Sequence, residues 1–213
     1  MDIQPIILII MGLTALITYQ GLNDYTFFNK YNFDIYGVKQ GQFWRFLTSG
    51  FLHVDWQHFI FNMITLYFFG SNVVDVVGPF YFILIYIVSL LAGNVLTYQL
   101  YHNDLAYRAV GASGAIMGVL YSFVIMFPTQ TIYLLVIPIP GFVFAIGYLL
   151  YSIYGMRKRM DNIGHAAHFG GAIGGLLLIL LKFPALIQER LYLIGILLIP
   201  ILLLIVMAKK GKI

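Results

Sequence analysis

Three small groups of polar residues interrupt an otherwise oily chain, and each is of a type that can do chemistry. The first is Ser113, set in Gly111-Ala112-Ser113-Gly114-Ala115-Ile116-Met117-Gly118. The second is His53, His58 and Asn62; the third is His165 and His168. A serine hydroxyl becomes a nucleophile when a base takes its proton, and imidazole is the side chain most often used for that. His58 and Asn62 are four residues apart, so on a helix they stack one turn apart on one face. Both can donate hydrogen bonds to an oxyanion. His165 and His168, three apart, also share a face. The chain has no cysteine, so a thiol nucleophile is excluded and the redox compartment is not legible. A plainer reading stands beside this one. The Gly-rich stretch is then a helix-packing patch whose serine bonds its own backbone, and His58 with Asn62 only bond a neighbouring helix.

The elements that must position these groups are membrane helices. Of 213 residues, 61% are hydrophobic and 9% charged, against about 25% charged in soluble domains. Apolar runs of helix length recur throughout, and lipid admits only helices or closed barrels. The runs are too long and uniform for barrel strands. Helices are expected over residues 3–19, 56–70 (entered from 51), 79–98, 113–127, 131–151, 164–181 and 191–207. The fifth is interrupted at Pro138-Ile139-Pro140-Gly141, which leaves 142–154 as its regular part. Residues 3–19 read as a retained helix, with no basic residues before them and no small-residue cleavage site after. Residues 21–50 mix scattered charge with many aromatics, which suits a segment lying in the headgroup interface. Arg157 to Asn162 reads as a solvated loop, and His165 as part of its edge. The net charge of +4 is loop charge and not a nucleic-acid footprint. No internal repeat is visible, so an inverted-repeat transporter is not supported. The organisation expected is all-α and polytopic. A six-helix core spans residues 1–183, and an extra C-terminal helix with a basic tail spans 184–213.

Gly114 and Gly118 form one small-residue face, and Gly171 and Gly175 another. Two such faces let their helices approach backbone to backbone. One helix separates these two, so they run parallel. Ser113 and His168, each near an N-terminal end, then sit at similar depth, and His168 can act as base for Ser113.

These residues together resemble the rhomboid family of intramembrane serine proteases. The resemblance is carried by Trp44-Arg45, by His53, His58 and Asn62, by Gly111-Ala112-Ser113-Gly114, and by Ala167-His168-Phe169-Gly170-Gly171 with Gly175. They stand in the family's order and cover roughly residues 44–181. The resemblance implies a Ser113–His168 dyad with no third acidic member. It implies an oxyanion hole from the Ser113 N–H and the His58 and Asn62 side chains. It selects His168 over His165, because glycines follow three and seven residues on. It implies that Gly111 lines the site and that Trp44 and Arg45 stiffen the first loop. Two positions depart from the pattern. Met117 stands where an aromatic ring usually packs on the catalytic imidazole, and Val74 replaces an expected acid, with Asp75 one place later.

The function expected is an endopeptidase that cuts transmembrane segments of membrane-anchored proteins, within a lipid bilayer and without cofactor or metal. Its location is expected to be a bacterial cell membrane. Two other classes are weighed: a haem- or metal-binding membrane protein using the histidine pairs, and a non-catalytic relative that holds membrane clients. Orientation is in conflict. With an inside N-terminus, as the resemblance implies, Lys30, Lys39, Arg45, Arg108, Arg157, Lys158, Arg159, Lys209, Lys210 and Lys212 fall outside, and only Lys182 and Arg190 inside. The loop-charge rule prefers the reverse.

Overall fold

The structure, a computed structural model, describes residues 3–134, 137–158 and 163–213. Residues 159–162, most of the basic loop, lie outside that set.

Helix α1 (Pro5–Asn23) begins on proline, whose missing N–H costs nothing at a first helical turn. The first loop is mostly ordered as short helices capped by acids. Asp24 accepts the Phe27 N–H at 3.0 Å to start α2 (Tyr25–Tyr31). After β1 (Phe33–Asp34), Asp34 accepts the Gly37 N–H at 3.2 Å to start α3 (Ile35–Lys39). Helix α4 (Arg45–Thr48) and a 3-10 turn at Ser49–Phe51 follow. Asp55 then accepts the His58 N–H at 2.7 Å and starts α5 (Trp56–Val77). Gly78, with φ at +81°, turns the chain into α6 (Pro79–Tyr101).

Strand β2 (Arg108–Ala109) leads to α7 (Ser113–Met126). Strands β3 (Thr131–Leu134) and β4 (Ile137–Pro140) form an antiparallel hairpin before α8 (Gly141–Lys158). The helix expected from residue 131 therefore begins only at Gly141. Half of residues 131–140 are β-branched (Thr131, Ile132, Val136, Ile137 and Ile139), and Pro138 and Pro140 cannot donate to a helical ladder. Helices α9 (His165–Lys182), α10 (Ala185–Glu189) and α11 (Leu191–Lys209) complete the chain.

Helices α1, α5, α6, α9 and α11 are each long and apolar enough to cross a membrane, and α7 is a shorter apolar helix. The chain is an all-α, multi-pass integral membrane protein. Helix α7 is its axis: every residue from Ser113 to Ile125 is buried, among α5, α6, α8 and α9. A helix apolar all round demands that position. Its 14 residues span about 21 Å at 1.5 Å per residue, less than the roughly 30 Å of a hydrocarbon core. One end must therefore lie below a membrane surface.

Helix α9 wedges between α6 and α7 on glycine. A Cβ on Gly171 would overlap the Gly114 carbonyl, one on Gly175 the Gly118 carbonyl, and one on Gly170 the Ala92 carbonyl. Close approach through small residues is how membrane helices gain packing energy without a hydrophobic drive. Elsewhere, Gln4 Nε2 donates to Asp75 at 2.5 Å, tying the start of α1 to the end of α5. Helix α11 lies along α8 with Leu197, Ile201 and Leu204 buried, and Tyr121 of α7 donates to the Leu197 carbonyl at 3.3 Å.

Candidate active site

The glycine contacts that pull α9 onto α7 bring two distant residues together. Ser113 is the first residue of α7 and His168 the fourth of α9, and Ser113 Oγ lies 2.7 Å from His168 Nε2. Both are buried. As the first residue of α7, Ser113 has an N–H with no carbonyl partner within its own helix. The positive end of the helix dipole adds to the field there.

The His53–Asn62 segment faces the same point. His58 and Ser113 both lie against Gly111, whose φ is +131°. Asn62, one turn along α5, lines the cleft beside Ser113 with Phe61, Thr65, Met117 and Tyr148. Its side-chain Nδ2 is buried and has no hydrogen-bond partner among the described residues. A buried amide N–H with no partner in the chain is costly, and a catalytic role is one of the reasons such a donor is kept.

His53 stands behind them as a strut. It is fully buried and bonds Thr18 Oγ1 through Nδ1 at 2.9 Å, while the Thr18 hydroxyl also reaches the Phe51 carbonyl at 3.1 Å. Its Nε2 accepts the Ala112 N–H at 3.4 Å. Burial, helped by the neighbouring His58, pushes His53 down to about 3. The ring is thus neutral at ordinary pH, which an acceptor Nε2 requires. Ala112, in turn, is the residue from which α7 starts.

The two loops above the site are sewn together. Strand β1 pairs with β2, Arg108 lies 3.8 Å from Asp34, and Gly111 N–H donates to the Ser49 carbonyl at 3.0 Å. Arg45 is buried in the first loop. It donates to the Asn29 carbonyl (2.9 Å), the Asn32 carbonyl (2.7 Å), Asn32 Oδ1 (2.8 Å) and Gln42 Oε1 (2.7 Å). Burial pulls its guanidinium below the usual value, and Asp34 pulls the other way. Trp44 is half exposed, and its Nε1 donates to the Lys30 carbonyl at 3.3 Å.

Two findings differ from the sequence reading. His165 is not a solvated loop residue: it is buried at the start of α9, edge-on to His168 at 5.6 Å. Gly155 of α8 makes its room, since a Cβ there would overlap the His165 ring. And the imidazole of His168 does have an aromatic neighbour. It is Tyr148 of α8, with ring centroids 5.0 Å apart, while Met117 lines the cleft.

Sequence reasoning placed this helix but singled out none of its side chains. Tyr148 and Ser152 are four residues apart and share the face that meets His168, with Ser152 Oγ 2.8 Å from His168 Nδ1. The one available signal was a serine in the middle of an apolar helix, a placement that generally marks a specific partner.

Comparison with known proteins finds several relatives of this chain. The family model described as Rhomboid domain matches residues 40–185. "RHOMBOID-like protein 12, mitochondrial" of Arabidopsis thaliana is 28% identical over 182 residues, covering 78% of this chain and 54% of that protein. "Rhomboid protein 1, mitochondrial" of Saccharomyces cerevisiae is 34% identical over 138 residues, 62% of this chain and 39% of its own. "Rhomboid protease GluP" of Bacillus subtilis is 31% identical over 139 residues, 65% of this chain and 26% of its own. The chain thus spans about half, or less, of each of these relatives.

Proposed function

Since the chain belongs to the rhomboid family, we propose that it is an intramembrane serine endopeptidase acting on transmembrane segments of membrane-anchored proteins. The observation that carries this reading is the 2.7 Å contact between Ser113 Oγ and His168 Nε2. In the mechanism, Ser113 Oγ attacks the scissile carbonyl carbon as His168 Nε2 takes the hydroxyl proton. The oxyanion is held by the Ser113 N–H, Asn62 Nδ2 and the His58 side chain. His168 then gives its proton to the leaving nitrogen, and the amine half departs. Water, deprotonated by the same imidazole, hydrolyses the acyl-enzyme and frees Ser113.

The cleft lined by Asn62, Ser113, Phe144 and Tyr148 lies between α5 and α8. It is the side from which a substrate helix reaches Ser113. A helix in lipid offers no spare backbone, so its end must unwind before it is cut. Residues 1–183 form the catalytic unit in this reading, and 184–213 an added helix with a basic tail. The catalytic face points outward, as the resemblance implies, and the membrane in this reading is a bacterial cell membrane. The Bacillus subtilis relative favours that membrane, and relatives named as mitochondrial offer the other compartment. The histidines are engaged in ways that favour the protease over a haem or metal protein. His53 holds Thr18 and Ala112, and His168 holds Ser113 and Ser152.

The test is incubation of the purified protein and its Ser113→Ala variant with a panel of single-span reporters, with the cut sites mapped by mass spectrometry. Cleavage within or beside the span, lost in the variant, is expected. A Ser113→Ala variant that cuts at the wild-type rate sinks the assignment.

A further inference from the structure

We propose that Ser152 is a positioning residue for this site. Its hydroxyl accepts the Nδ1–H of His168 and so leaves Nε2 bare toward Ser113. The inference rests on the protease reading for its consequence, but the hydrogen bond it invokes stands on geometry alone.

A serine hydroxyl has one proton and two lone pairs. Ser152 lies on α8, fully buried, and its Oγ donates to the Tyr148 carbonyl one turn earlier at 2.9 Å. Such back-bonding is the usual resting place for a serine proton in a membrane helix. With the proton engaged there, what Ser152 offers His168 Nδ1 at 2.8 Å is a lone pair. The hydrogen on that bond must come from the imidazole. A neutral imidazole carries one N–H, so Nε2 is then an acceptor, 2.7 Å from the Ser113 hydroxyl. This is the tautomer in which His168 can take the serine proton. In the other, an N–H would point at Ser113 and no base would be in place.

The same face of α8 fixes the ring in space. Tyr148 packs on the His168 ring, and Gly155 admits His165 beside it. A carboxylate in place of Ser152 would be a charge buried among apolar helices, whereas a hydroxyl orients the ring without that cost. A neutral acceptor also stabilises the imidazolium less than an acid does. Its removal should therefore cost far less than the roughly 10⁴-fold seen when a triad aspartate is made neutral.

The test uses the full chain carrying Ser152→Ala or Ser152→Thr, with steady-state cleavage of a single-span reporter and melting temperature measured on the same preparations. Ser152→Ala is expected to lower kcat about tenfold with KM nearly unchanged, and Ser152→Thr, which keeps the hydroxyl, to retain most of the rate. In nitrogen-15 histidine spectra the His168 signal, identified by its loss in His168→Ala, should report Nδ1–H in the wild type and a mixture of tautomers in Ser152→Ala. Wild-type kcat in Ser152→Ala overturns the proposal, as does a wild-type His168 protonated on Nε2. If the wild type cuts no reporter, the protease reading falls instead. The wild-type tautomer then decides the role of Ser152 alone, as it does if Ser152→Ala fails to fold.

Discussion

Gly111 and the His58 imidazole fit against each other so closely that a Cβ on Gly111 would lie 2.7 Å from His58 Cε1 and 3.7 Å from Ser113 Oγ. The backbone of Gly111 is also held at φ +131°, where side chains other than glycine are strained. Gly111→Ala should therefore act twice. Strain of about 1–3 kcal/mol lowers the melting temperature, and displacement of His58 lowers turnover of the folded protein. A rate per folded molecule equal to wild type would show that His58 does not serve the reaction from this position.

His168 and Ser113 should fail as one unit. His168→Ala is expected to be as inactive as Ser113→Ala, and the double variant no worse than either, because residues acting in one step are strongly non-additive. His165 packs beside His168 and against Gly155, so His165→Ala should keep cleavage and lose melting temperature. An essential His165 with a dispensable His168 would reverse the base assignment.

Asn62→Ala and His58→Ala should each slow turnover by about 10- to 1000-fold with a smaller change in KM, since donors to a developing charge act in the transition state. Asn62 Nδ2 is buried and unbonded among the described residues, so removing it takes no resting hydrogen bond from the fold. If stability falls while the rate of the folded fraction holds, the pair is interhelical glue.

His53 gives the fold a pH dependence. Its folded pKa of about 3 lies below the ordinary value of 6.5, so between those limits the unfolded chain binds the extra proton. Stability from this residue is complete above about pH 6.5 and falls as pH drops from there toward 3. His53→Gln keeps an acceptor near Ala112 and cannot titrate there. Melting temperatures from pH 4 to 8 should fall less steeply toward acid in the variant than in the wild type. Parallel slopes would mean that other groups carry the dependence.

The order and spacing of polar residues were legible without coordinates because lipid makes each one costly. Ser113, His58, Asn62 and the pair His165 and His168 stand out for that reason, and the family resemblance then selects His168 of the pair. The start of α6 at Pro79 and the shortening of α8 at Pro138 and Pro140 follow from proline's missing donor. Glycine spacing on residues 114, 118, 171 and 175 marked two faces able to approach, and the overlaps at Gly171 and Gly175 are where they meet. The hairpin at residues 131–140, the burial of His165 and the presence of Tyr148 and Ser152 at His168 were not legible. Helix α8 is apolar on most of its surface, so its sequence does not say which face turns inward. That rotation is set by the neighbours it packs against, through Gly155 on His165 and through α11 along its flank. The sequence by itself determined which residue types enter the membrane and on which helices. Only tertiary packing decided which atoms of α8 touch the imidazole, because contact across helices depends on rotation and depth that no local spacing encodes.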